Sequence, residues 1–409
     1  MHFYNKTMRQ IIIIVFVLLC GYNAEAQIRY VDTSAKTITD DSIRNGAERT
    51  ELYFPVLKGK NVAIVANQTS KIGKVSLVDS LLNAGITIKK IFCPEHGFRG
   101  KTEAGKNISN SVDSITGLPI VSLYGKHYKP KNADLKGIDI VVYDIQDVGV
   151  RFYTYISTMT YVMEACAENN IEFLILDRPN PNGYYIDGPV LEKEFTSFAG
   201  LHPVPIVYGL TAAEYACMVN GEGWLKNGVK CNLRYITVDD YNHSYMYILP
   251  IPPSPNLPNM DAVYLYPSLG LFEGTKISVG RGTEKPFQVI GSPFIKNKKF
   301  SFTPQSVAGC ANPPYKGEKC YGYDLTNFSE IYVKSLRQIY IYWLQATYKE
   351  MNDSLNFFNN YFNNLAGNAV LKEQIISGKS EEEIRESWKS GLDAYKAIRK
   401  KYILYPDFE

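Results

Sequence analysis

Two signatures of nucleotide-binding α/β proteins are missing from this chain. No G-x-G-x-x-G follows its first strand-like run, and no G-x-x-x-x-G-K-[ST] occurs anywhere. A nucleotide cofactor is therefore not expected, nor any other. Histidine is scarce, at 5 residues, with no H-x-x-H or H-E-x-x-H spacing. Asp144 and Asp147 with His96 could hold an ion, but no metal site is the expectation. The formal charge of +3 is small and Lys/Arg runs are confined to the last helix, which argues against a nucleic-acid partner. Seven cysteines in 409 residues are too few for a disulfide scaffold. Long apolar runs are missing as well. The one over 11–19 falls short of the roughly 20 residues a stable membrane span needs.

That short run does suit an export signal. Lys6 and Arg9 precede it, and Ala24-Glu-Ala26 offers a cleavage site before Gln27. Residues 1–26 are read as a signal peptide, and the mature protein is expected to be periplasmic or secreted. Lipidation at Cys20 is disfavoured by the bulk of Leu19. Of the cysteines left after cleavage, Cys166 and Cys217 fall on apolar helical faces as buried thiols. Cys310 and Cys320 flank a Pro/Gly-rich loop and are the expected disulfide pair.

What is abundant is tyrosine: 31, against 3 tryptophans. Such rings pack cores and can also stack on sugars. From residue 60 onward, strand and helix patterns alternate. Asn61-Val-Ala-Ile-Val-Ala66 is a continuous apolar run, as in a strand covered on both faces. A helix is expected over 75–84, then a strand over 86–92 with Ile86, Ile88 and Phe92 on one buried face. Strands over 138–144, 171–176 and 204–207 follow, with helices over 157–169 and 211–220, the latter capped by Thr211 and Glu214. This rhythm predicts an α/β fold, a Rossmann-like doubly wound parallel sheet without a dinucleotide motif. Pro250-Ile-Pro-Pro-Ser-Pro-Asn-Leu-Pro-Asn259 reads as a stiff connector. Beyond it the pattern gives one amphipathic run over 331–349 and a last helix capped by Ser380 and Glu383. Domains are expected over 27–250 and 251–409, the second a smaller α+β domain closing a cleft.

Chemistry is expected where polar residues follow strand ends. Ile91-Phe-Cys-Pro-Glu-His-Gly-Phe-Arg-Gly100 places Glu95, His96 and Arg99 beyond a strand ended by Pro94. Asp144, Gln146, Asp147 and Arg151 form a second cluster, and Asp177, Arg178, Asn180 and Asn182 a third. Glu273 and Arg281 lie in a glycine-rich stretch past the connector. Paired carboxyl groups suit glycoside hydrolysis. Equally, Asp144 and Asp177 could cap loops or pair with arginine, Asp177 with its neighbour Arg178. Cys93 could be a nucleophile, though a core residue is the better reading.

The stretches 93–100, 143–155, 176–183, 188–192, 253–259, 271–275 and 280–283 together resemble the exo-β-N-acetylmuramidase (NamZ-type) family. The resemblance runs from about Leu52 to the end of the chain. It implies an exo-acting glycosidase that removes non-reducing-end N-acetylmuramic acid from peptidoglycan-derived saccharides. It also implies a cleft between a Rossmann-like domain and a smaller C-terminal one. Glu95 becomes the leading catalytic candidate, with Glu273, Asp144 and His96 beside it. Substrate-binding candidates are Arg99, Asp147, Arg151, Tyr153, Tyr155, Asp177, Asn180, Asn256 and Arg281. Arg151 and Arg281 are the expected readers of the lactyl carboxylate. A secreted glycan-binding protein without activity and a metal-dependent hydrolase are the alternatives.

Overall fold

The computed structural model describes residues 37–38, 43–95, 97–99, 111–125, 127–329, 333–351 and 356–409. The signal-peptide segment, Cys20 and His96 lie outside the described residues.

The sheet at the centre has seven strands: β1 (Asn61–Ala66), β2 (Thr87–Cys93), β3 (Ser111–Val112), β4 (Pro119–Ser122), β5 (Ile140–Asp144), β6 (Glu172–Leu176) and β7 (Leu233–Ile236). Their spatial order is β7-β6-β5-β1-β2-β4-β3, and every neighbouring pair is parallel except β3 with β4. The central strands β1, β5 and β6 are almost continuously apolar because each face has its own core. In β1, Ala63 and Val65 join one cluster, while Val62, Ile64 and Ala66 join the other. Along β5, Val141 and Tyr143 face the first cluster, whereas Ile140 and Val142 face the second. Successive side chains on a strand point to opposite faces, so both phases of the alternation must be hydrophobic here.

Strand β2 departs from the single buried face expected for it. Its register against β1 shifts after Ile88, with the next pair at Ala63 and Lys90. The extra residue turns the later side chains over. Ile88 and Phe92 consequently point into different cores.

The helices include α1 (Thr50–Leu57), α2 (Leu77–Asn83), α3 (Tyr155–Glu168), α4 (Ala212–Gly221), α5 (Met260–Leu269), α6 (Tyr342–Glu350) and α7 (Glu381–Arg399). Helix α2 is shorter than expected because Val75 and Ser76 pair with Lys71 and Ile72 as a small hairpin. The boxes at Thr211/Glu214 and Ser380/Glu383 both form, each giving two otherwise orphaned N–H groups a partner.

The strand expected over 204–207 is not in the sheet. Val207 makes isolated bridges with Val150 and Asp187, and Ile206 O accepts from the Arg151 N–H at 2.8 Å. The run expected over 331–349 is not one helix either. Arg337 takes a left-handed conformation, φ 48°. Past it, the Ile339 N–H donates to Asp187 (2.6 Å) and the Tyr340 N–H to Ser268 Oγ (2.9 Å). Groups a helix would pair internally are spent on tertiary partners.

Past residue 264 the chain adds a small antiparallel sheet, β8 (Val289–Ser292), β9 (Phe300–Phe302) and β10 (Cys320–Asp324), in the order β8-β10-β9, with helices around it. Its apolar residues Ile277, Phe287, Ile290, Ile339 and Trp343 share the cluster that covers one face of the large sheet. No disulfide joins Cys310 and Cys320 among the described residues. Cys310 is held in a bridge to Val307 and Cys320 in β10 opposite Phe302, so separate backbone pairings anchor the two. Cys166 is buried as expected, and Cys217 only partly so. No helix among the described residues is long and apolar enough to cross a membrane.

Candidate active site

Parallel strands end on one edge, and the loops beyond them meet there. The turn after β2 carries Glu95, the loop after β4 carries Tyr124, and the segment from β5 into α3 carries Phe152, Tyr153, Thr154 and Tyr155. With Ser254, Asn256 and Leu257 from the connector, Tyr266 from α5, and Glu273, Arg281, Phe287 and Tyr361, they line a cavity of about 210 Å³. A second, more open depression of about 500 Å³ lies at the other end of the strands, just before β5 and β6. Its lining, which includes Asn132, Lys136, Ile138 and Ile171, holds no carboxylate.

Glu95 is mounted on a tight turn. The Gly97 N–H donates to Pro94 O at 3.1 Å, and Gly97 sits at φ 74°, which only glycine adopts without penalty. The Glu95 carboxylate acts on the Tyr124 hydroxyl, whose pKa is raised first by burial and then by that charge. Burial likewise raises Tyr155 and Tyr266, with Glu95 contributing to both, so these phenols remain neutral donors.

Glu273 comes from the 3-10 turn Gly270–Gly274 that follows α5. Two glycines fix its position. A Cβ on Gly270 would meet the Phe152 ring at 2.2 Å, and one on Gly274 would meet Phe362 Cα at 2.5 Å. Arg281 Nε donates to Glu273 at 2.7 Å, and the guanidinium lies over the Phe287 ring, 4.9 Å from its centre. Burial acts against the Arg281 charge, yet Glu273 outweighs it and the pKa rises. Nε is the one guanidinium nitrogen with a hydrogen-bonded partner among the described residues.

Much of the cavity lining is aromatic. Tyr155, Tyr153, Tyr266 and Phe287 run as edge-to-face pairs with centroids 4.7, 5.8 and 4.9 Å apart. Tyr361, whose pKa is raised by burial, feels both Glu273 and Glu95. Asn256 is only 6% exposed, and its Nδ2 has no partner among the described residues. A cavity with two carboxylates, an arginine, phenols and an unspent amide suits a polar ring-shaped ligand.

Of the candidates named from the sequence, Glu95, Glu273, Arg281, Tyr153, Tyr155 and Asn256 line this cavity. Six other candidates do not line the cavity. Arg99 forms a two-pronged pair with Asp113, at 3.0 and 2.8 Å. Asp144, fully buried, pairs with Arg178 at 2.6 and 3.0 Å. Asp147 accepts from the Gly149 N–H at 2.7 Å and from the Tyr208 hydroxyl. Asp177 does not pair with Arg178. It accepts from the Ala213 N–H at 3.0 Å and the Tyr405 hydroxyl at 2.5 Å. Asn180 bonds Leu210 O and the Asn182 N–H.

The sixth is Arg151, which is buried completely. It donates to the carbonyls of Pro189, Val204, Leu365 and Ala366 at 2.8–2.9 Å. Desolvation without an anion pushes its pKa down to about 9. It ties together backbone from distant parts of the chain and does not face the cavity.

Cys93 is buried, and burial pushes its thiol up to about 12, which suits a core residue and not a nucleophile. Among the described residues no group of three or more His, Cys, Asp or Glu converges as a metal shell would. Tyr124, Phe152, Tyr266, Phe287 and Tyr361 were not among the expected site residues. Apart from the tyrosine-rich composition, nothing local marks them.

Comparison with known proteins places this architecture. Residues 62–261 match the family described as exo-beta-N-acetylmuramidase NamZ, N-terminal, and residues 264–405 match its C-terminal counterpart. The peptidoglycan beta-N-acetylmuramidase NamZ of Bacillus subtilis (strain 168) is 38% identical over 373 residues, which is 86% of this chain and 89% of that protein. Two crystal structures of DUF1343 family proteins from Bacteroides fragilis NCTC 9343 are similar. The first has a TM-score of 0.82 at 46% identity, the second 0.74 at 31%, each covering 89% of this chain and 99% of its own.

Proposed function

The chain belongs to the exo-beta-N-acetylmuramidase NamZ family, and from that membership and the cavity we propose how it works. It is a glycosidase that releases N-acetylmuramic acid from the non-reducing end of peptidoglycan-derived saccharides. The observation that carries the reading is a single aromatic-walled cavity lined by both Glu95 and the Glu273–Arg281 pair.

A glycosidic oxygen leaves poorly unless it is protonated, so an acid must stand beside it. Glu95 supplies that proton, positioned by its turn. Glu273 faces the developing positive charge on the sugar, as base or as nucleophile. The terminal nitrogens of Arg281 receive the lactyl carboxylate, which distinguishes muramic acid from glucosamine. Asn256 offers its Nδ2–H to an acceptor on the ring, since an unpaired buried donor is costly until a ligand meets it.

The work of such an enzyme lies outside the cytoplasm. Export through the charged and apolar start, with cleavage after Ala26, fits a role in cell-wall turnover or recycling.

Incubation of the purified protein with a chromogenic β-glycoside of N-acetylmuramic acid tests the activity directly. Release of chromophore and free N-acetylmuramic acid is expected, with the glucosamine analogue a poor substrate. Binding without turnover would overturn the reading.

A further inference from the structure

A cavity that encloses one ring leaves the remainder of a saccharide outside its mouth. One rim of that mouth continues into a cluster of aromatic rings that takes no part in the chemistry above. Tyr124 lines the cavity and also lies 6.2 Å from both Tyr128 and Phe198. Ala199, next to Phe198 in the chain, lines the cavity too. Tyr128 stacks over Phe198 at 4.0 Å, with planes 29° apart. Phe198 and Tyr161 are 6.2 Å apart with planes only 5° from parallel. Tyr128 is 36% exposed, and Tyr161 and Phe198 are half-buried.

Three sources supply these rings: the loop after β4 (Tyr124, Tyr128), helix α3 (Tyr161) and the segment before Gly200 (Phe198). None belongs to the continuous core of the large sheet. Aromatic side chains are held in contact here at the surface, where burial stabilises them least. Their faces are apolar and bordered by phenolic hydroxyls, which suits the C–H face and hydroxyl edge of a pyranose.

We propose that Tyr128 and Phe198, backed by Tyr161, form the binding site for the sugar on the leaving-group side of the scissile bond. The occupant is the next pyranose of the same saccharide, because the shelf is continuous with the cavity through Tyr124. This inference rests on the glycosidase reading. It adds that the protein recognises its substrate beyond the ring it releases.

The test compares two substrates on the full chain. One is the disaccharide of N-acetylmuramic acid β-linked to N-acetylglucosamine. The other is the methyl β-glycoside of N-acetylmuramic acid, whose leaving group is too small to reach the shelf. For Tyr128→Ala and for Tyr128→Ala/Phe198→Ala, kcat/KM on the disaccharide is expected to fall, by roughly tenfold or more in the double variant. The methyl glycoside should be cleaved within about twofold of wild type. Tyr128→Phe, which keeps the ring, should retain the disaccharide rate.

Equal losses on both substrates, or loss on neither, would overturn the shelf. If the rings instead join a second copy of the chain, Tyr128→Ala changes the sedimenting mass but not the substrate ratio, which overturns it too. Failure of the wild-type protein to release N-acetylmuramic acid from either substrate would instead strike the glycosidase reading itself.

Discussion

Asp144 accepts two hydrogen bonds from Arg178, at 2.6 and 3.0 Å, with both side chains almost wholly buried. The pair links the ends of β5 and β6 and fills the ion-pairing capacity of both groups. Asp144 lies on the Ile140 and Val142 face of β5, whereas Tyr143 points to the opposite face and donates to Tyr155 O at 3.3 Å. The cavity wall continues from that Tyr155 side. A carboxylate can thus follow a catalytic-looking strand and still face away from the chemistry.

Asp144→Asn should accordingly act on stability before it acts on rate. Removing one partner of a buried ion pair leaves an uncompensated charge, at a cost of about 3–5 kcal/mol. Urea unfolding should show that loss, and Asp144→Leu/Arg178→Met should recover much of it. The folded fraction of Asp144→Asn should keep a near-normal kcat. A fall of two orders of magnitude in kcat at an unchanged urea midpoint would return Asp144 to the reaction.

Two other buried carboxyls give the fold a pH dependence. Burial pushes Asp147 and Asp177 up to about 6. Their unfolded values lie near 3.9. Between about pH 4 and 6 the folded state therefore holds more protons than the unfolded one. Its stability falls as pH rises through that window and levels off above it. Each group costs on the order of 3 kcal/mol at neutral pH. Carboxylates held low by partners, such as Asp113 and Asp407, add the opposite slope. The readout is thus the difference between Asp147→Asn and wild type, measured by urea unfolding at pH 4.5, 5.5 and 7. The variant should gain on wild type as pH rises, and a difference independent of pH would contradict the shift.

The two arginines expected to read the lactyl arm should separate cleanly. Arg151→Met strips hydrogen bonds from four buried carbonyls, each loss costing roughly 1–3 kcal/mol, and should destabilise the fold without changing substrate preference. Arg281→Met should reduce the preference for muramic over glucosamine substrates by on the order of tenfold to a hundredfold, the worth of a charge-assisted hydrogen bond. Competition kinetics with the two chromogenic glycosides measures it. An unchanged ratio in Arg281→Met would assign the lactyl arm to another group.

How much of this could be read from the chain differs by element. The continuous apolar runs of β1, β5 and β6 were legible because both sheet faces are covered, which leaves no polar phase to hide the strand. Glu95, Glu273 and Arg281 were legible because glycines beside them signal sharply turned loops. Arg151 and Asp177 were not, since a charge in such a motif looks alike whether it meets substrate or buried backbone. Only the fold reveals that carbonyls from Leu365 and Ala366 arrive at Arg151. Tyr266 and Tyr361 are remote from Glu95 in sequence, so no local pattern could join them to it. In β2 a single-residue bulge was enough to defeat the alternation.

Export makes a separate prediction. The protein recovered from outside the cytoplasm should begin at Gln27 on N-terminal sequencing. A lipid-modified Cys20 as the first residue would show that the start is processed as a lipoprotein instead.

The sharpest expectation concerns Glu95. It stands on a turn fixed by Pro94 and Gly97, lines the cavity, and shares it with Tyr124, a tyrosine that burial keeps neutral. Such a mount holds a proton donor where a glycosidic oxygen would lie. Glu95→Gln keeps the shape of the side chain and removes the transferable proton. On the natural disaccharide, kcat/KM should fall ~10²–10⁴-fold, the usual worth of general acid catalysis. With an activated aryl leaving group the loss should be much smaller, because that group departs with little protonation. KM should change little, since the amide keeps the size and shape of the carboxyl. This pattern differs from the one expected of a nucleophile. Loss of a nucleophile slows both substrates alike, because the first bond to the sugar no longer forms. Glu273→Gln is expected to behave in that second way, whether Glu273 attacks the sugar or activates water. If Glu95→Gln, shown to be folded by circular dichroism, still cleaves the natural disaccharide near the wild-type rate, the proton comes from elsewhere.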